Sequence, residues 1–89
     1  MADFIQDLAD KLARDTLEAS KELDDPFFYD QVSKMIGASS TTLQEAFLTS
    51  IRIRQAEARG RRFLEQALAA KKAGAALPLA PPDPDTGGH

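Results

Sequence analysis

The chain contains no cysteine and no tryptophan, and its single histidine is the last residue, His89. Without cysteine there is no disulfide framework and no thiolate metal site. With histidine confined to the end, no Ser-His or Cys-His pair is available for nucleophilic catalysis. Glycine is sparse, at Gly37, Gly60, Gly74, Gly87 and Gly88, and forms no phosphate-cradling pattern. No EF-hand spacing occurs. These absences predict a protein that is not an enzyme and that carries no cofactor or metal. No apolar run approaches the ~20 residues of a bilayer span. The start, Met1-Ala2-Asp3, is acidic where a secretory leader is basic. A cytoplasmic location is the expectation.

What remains is a short, charge-segregated chain. Its 89 residues suffice for one small domain. A domain of this size buries a modest share of its surface, and oligomerisation is an obvious further stabiliser. Hydrophobic residues make up 43% and charged residues 28%, an ordinary globular balance. Residues 1–30 hold nine acids and three bases, a net −6, whereas residues 31–75 hold three acids and eight bases, a net +5. The acidic first third and the basic middle should attract one another, within a chain or between chains. Each exposed pair contributes only ~0–1 kcal/mol.

Hydrophobic periodicity predicts three helices. The first should run from Asp3 to Leu23, capped by Asp3 with Gln6 reaching back. Its inward stripe should be Phe4, Ile5, Leu8, Ala9, Leu12, Thr16, Ala19 and Leu23. Asp7–Lys11 and Asp10–Arg14 stand at i,i+4 and should pair. Asp24-Asp25-Pro26 breaks the chain, since proline disfavours helical geometry in the residue before it. A short second helix is expected over Pro26–Ile36, capped by Asp25 and ended by Gly37, with Phe27 and Phe28 as core anchors. A polar turn at Ala38–Thr41 leads to a capping box, either Thr42 with Glu45 or Thr41 with Gln44. The third helix should continue through Gly60 to Lys72 and stop at Gly74. The expected domain is residues 1–74, followed by a disordered Pro/Gly-rich tail over 75–89.

The long helix carries apolar residues on two sides. At ~100° per residue, Leu43, Phe47, Ile51 and Ala58 fall on one face. Ala46, Ile53, Gly60, Leu64, Ala67 and Leu68 fall about 120° away. Arg52, Arg59 and Arg62 take the remaining face, and Glu57, Arg61 and Glu65 form a possible ion-pair ladder. Two apolar faces call for two neighbours. The half beyond Gly60 has little of its own chain left to cover it. An uncovered apolar face commonly marks a contact site.

Residues Asp24–Ala38 hold an aromatic-acidic run, Asp25-Pro26-Phe27-Phe28-Tyr29-Asp30, leading to Lys34 and Gly37-Ala38. This segment resembles the opening of small bacterial ubiquinone-accessory or membrane-fusogenic proteins. The resemblance implies an amphipathic, membrane-touching segment followed by an oligomerising coiled-coil helix. It spans fifteen residues. Here a further helix precedes it and the long helix lacks sustained heptads, so the chain is not assigned to that family.

The sequence therefore predicts an all-α protein, a small bundle of two shorter helices against one long C-terminal helix. The expected function is non-catalytic protein interaction, as a regulator, adaptor or assembly factor, acting as a homodimer or on a larger protein partner. The expected contact face is Ile53, Gly60, Leu64, Ala67 and Leu68, rimmed by Arg54, Arg61 and Arg62. The alternative is an anionic partner, RNA, DNA or an acidic membrane surface, held by Arg52, Arg54, Arg59, Arg61 and Arg62. A sequence pI near 5.0 and the lack of aromatics among these arginines weigh against nucleic acid.

Overall fold

The computed structural model describes residues 4–74. Among them are three helices and no strand: α1 over Phe4–Leu23, α2 over Phe28–Gly37 and α3 over Thr41–Ala73. The two shorter helices pack on the long C-terminal one. The predicted cap Asp3 and the tail over 75–89 lie outside the described residues.

Local chemistry sets each boundary. α1 ends in a Schellman motif, with Asp24 N donating to Lys21 O at 3.2 Å and Asp25 N to Ser20 O at 3.0 Å. The left-handed position is filled by Asp24 at φ 52°, one of the few non-glycine residue types that tolerates it. Asp25 then orders the turn: its Oδ1 accepts from Phe27 N at 3.1 Å and its carbonyl from Phe28 N at 3.2 Å. Pro26 stays in that turn, so α2 starts two residues later than periodicity predicts. Gly74, at φ 74°, ends α3 as expected, its N–H donating to Lys71 O at 3.2 Å.

Two caps differ from expectation. Ser40, not Thr41 or Thr42, caps α3: its Oγ accepts from Leu43 N at 3.0 Å and its carbonyl from Gln44 N at 3.1 Å. Gln44 is thereby freed from any capping box. It reaches α2 instead, with Nε2 donating to Ser33 O at 3.0 Å and to Ser33 Oγ at 3.3 Å. That reach explains Gly37, which is helical rather than left-handed. A Cβ there would lie 2.5 Å from Gln44 Nε2, so the glycine serves close approach and not a turn.

The chain divides into two units, Met1–Ala56 and Glu57–His89. The core of the first is Ala9 and Ala13 from α1 with Phe47 and Ile51 from α3, all essentially sealed from solvent. Leu12, Leu17, Tyr29, Val32, Ile36, Leu43, Ala46 and Leu48 pack against that cluster. Burying Phe47 alone contributes about 1.5–3 kcal/mol. The face of α1 that turns inward is thus its small-residue face: Ala9, Ala13, Thr16 and Ser20. Of the predicted stripe, Ala9 and Thr16 lie on that face and Leu12 packs against the core, while its remaining large residues centre roughly 90° round the helix. Phe4, Ile5, Leu8 and Leu23 of that stripe are exposed. Small side chains let the helices approach closely enough for Phe47 and Ile51 to fill the space between them.

Phe27 is likewise corrected. It is 68% exposed and meets Tyr29 in a tilted arrangement, ring centroids 6.4 Å apart. Phe28 is half-buried. The buried aromatic anchor is Phe47 on α3. Ala46, placed on the second face by periodicity, instead packs against the core, and Ala58, placed on the first, is exposed.

Candidate protein-interaction face

α3 is helical without interruption from Thr41 to Ala73, so Gly60 does not end it. A Cβ at Gly60 would meet nothing within 4 Å, which excludes a close approach to this residue among the described residues. In the second unit, the helix continues from Glu57 with an apolar row at Phe63, Leu64, Ala67 and Leu68. Leu64 is 52% and Leu68 60% exposed. Phe63 and Ala67 are half-buried. In the first unit, Ile53 is 63% exposed. A single exposed leucine is ordinary; what marks this stretch is that the exposed leucines share one row of the helix.

The arginines fall into two groups. Arg54 is half-buried in the first unit: its Nη2 donates to Asp10 O at 3.1 Å and its Nε to Ser50 Oγ at 3.3 Å. Arg61 is held along its own helix, Nε donating to Glu57 Oε2 at 3.0 Å. That hydrogen bond, then the Glu57 charge, raises the Arg61 pKa and keeps it protonated. Arg52, Arg59 and Arg62 are exposed and form no ion pair among the described residues. Segment 57–74 as a whole carries five bases and two acids, a net +3. It is a basic helix with an apolar row.

Asp10 is the acid drawn inward on α1. Gln6 Nε2 donates to its Oδ1 at 2.9 Å, instead of reaching back to cap the helix. That bond chiefly, then the Ser50 hydroxyl and the Arg54 charge, hold the Asp10 carboxyl below the ordinary carboxylate range. Asp10 therefore does not pair with Arg14, which turns to Asp15 at 3.2 Å. Asp7–Lys11 is also absent from the ion pairs among the described residues, whereas Asp30 and Lys34 on α2 do pair, at 3.1 Å.

Two further surface features had no counterpart in the sequence reading. Phe28, Gln31, Val32 and Met35 line a shallow cleft of about 300 Å³ on α2. On α1, exposed Phe4, Ile5 and Leu8 form a second apolar row. The signal for that row was present in the spacing of Ala9, Ala13, Thr16 and Ser20. A small-residue face at 4-3-4 intervals competes for the interior and turns the larger residues out. Among the described residues no group of three potential ligands could hold a metal, and no helix is long and apolar enough to cross a membrane. No protein-family model, curated protein or solved structure matches this chain.

Proposed function

We propose that the protein is a non-catalytic interaction module, a regulator, adaptor or assembly factor, that docks another protein surface through the C-terminal part of α3. The observation that supports this reading most is the exposure of Leu64 and Leu68 on a net-basic helix. Both leucines are about half covered already, so burying the rest provides a driving force of about 1–2 kcal/mol each. The bases around them select an acidic rim on the partner. Gly60 and Ala67 keep the centre of the row low, so a partner helix can lie close. Arg61 and Arg62 supply rim charge, and Ile53, in the first unit, is a separate exposed apolar residue. Arg54, committed to Asp10 and Ser50, contributes to the fold of the first unit instead.

Site-specific photo-crosslinking tests the reading. A crosslinking phenylalanine analogue at position 64 or 68 is expected to trap a protein adduct in native extract or at high concentration of the pure chain, identifiable by mass spectrometry. The same analogue at Arg52 or Arg59, on the polar face, is expected to trap far less. Equal or absent adducts at all four positions would overturn it.

A second reading is supported by one observation, the three exposed arginines without an acidic partner, Arg52, Arg59 and Arg62. Such a set suits an anionic partner, a nucleic acid or an acidic lipid surface. It predicts salt-dependent retention on heparin. Passage through heparin at low salt would remove it.

A further inference from the structure

The chain carries two uncovered apolar rows with opposite rims. On α1, Phe4, Ile5 and Leu8 are exposed although they belong to the helix that builds the core, because Ala9 and Ala13 take the inward position. Leu23, also exposed, prolongs that row toward the end of the helix. Residues 4–25, which contain it, hold seven acids and three bases, a net −4. Asp15 and Glu22 are exposed acids that fall within about 60° of the row's axis on the helical wheel. On α3, the row of Leu64 and Leu68 sits in a segment of net +3. Lys71 lies one turn after Ala67 and Lys72 one turn after Leu68, both exposed and without an ion pair among the described residues.

We infer that the occupant of the α3 row is a second copy of this chain, and that it is seated on the copy's α1 row. The inference rests on the docking reading of α3 proposed above and adds the partner and the seat. Each row offers what the other lacks. An apolar strip wants an apolar strip, and a basic rim wants an acidic one. Both halves of the match are encoded in one molecule, so every copy that presents one also presents the other. The contact is between different surfaces of the two copies. Its geometry then closes into a ring or two-fold pair, or propagates.

Charge reversal separates this arrangement from others. One variant carries Asp15→Lys and Glu22→Lys on α1; the other carries Lys71→Glu and Lys72→Glu on α3. All four positions are exposed and outside the core, so helicity by circular dichroism should stay at the wild-type level. In sedimentation, the wild type is expected to rise above its 9.7 kDa monomer mass with concentration. Each variant alone then brings like charges together at every contact and is expected to associate about tenfold or more weakly. An equimolar mixture restores opposite charges and is expected to recover association. An α1 variant that associates like the wild type would show that α1 is not the seat. A mixture that does not recover would overturn the pairing of the two rows. A wild type that stays at 9.7 kDa at all concentrations would overturn the second copy as occupant. The docking reading itself would then stand or fall on the crosslinks from positions 64 and 68.

Discussion

Asp10 shows how one side chain comes to serve the fold rather than the surface. Its carboxylate accepts from Gln6, its backbone carbonyl accepts from Arg54, and Ser50 stands beside it. These groups favour the charged form, so the folded-state pKa lies below the unfolded value near 3.8. A depressed carboxylate stabilises the fold above the unfolded pKa, and that contribution is lost as pH falls through the folded pKa. Asp10→Asn is therefore expected to flatten the loss of stability on acidification below about pH 4, while leaving the neutral-pH slope unchanged. Urea midpoints of wild type and variant, taken across the acid range, check this. Parallel acid limbs in the two would contradict it.

At the scale of elements, the capping of α3 decides between two ways of starting the same helix. Ser40 accepts the Leu43 amide, while Thr42 lies inside the first turn and is exposed. Ser40→Ala is expected to cost about 1 kcal/mol and Thr42→Ala only a few tenths, read from the same denaturation experiment. The reverse order would restore the capping box that spacing alone favoured. The three helices, their order and the continuity of α3 through Gly60 were legible in the sequence, because periodicity and the punctuation at Asp24-Asp25-Pro26 and Gly74 are local signals. The inward face of α1 was not. Large apolar residues and small ones occupy neighbouring faces of that helix, and only the partner's shape decides between them. Phe47 and Ile51 fill the space that Ala9 and Ala13 leave, a choice made by packing across helices and not by hydrophobicity along one. The exposure of Phe27 has a local origin instead: Asp25 fixes the turn that carries Phe27, and the ring stays exposed. The exposed row on α3 was legible, since Leu64 and Leu68 lie at helical spacing beyond the reach of a ten-residue α2 in sequence order.

At the scale of the molecule, the core seals only four hydrophobic side chains among the described residues. Many of its largest apolar residues remain in water: Phe4, Ile5, Leu8, Leu23, Phe27, Met35, Ile53, Leu64 and Leu68. Single exposed leucines are common, but rows of them on helices of opposite charge are a basis for association. A small domain whose own core is modest also gains most from a partner, because association adds to apparent stability by mass action. Association between copies turns on the row at Leu64 and Leu68. Sedimentation of the wild type beside Leu64→Glu/Leu68→Glu, both confirmed helical, tests it most directly. The account predicts a wild type whose mass climbs above 9.7 kDa with concentration and a double variant that stays there. The same mass distribution in both chains at every concentration would contradict it.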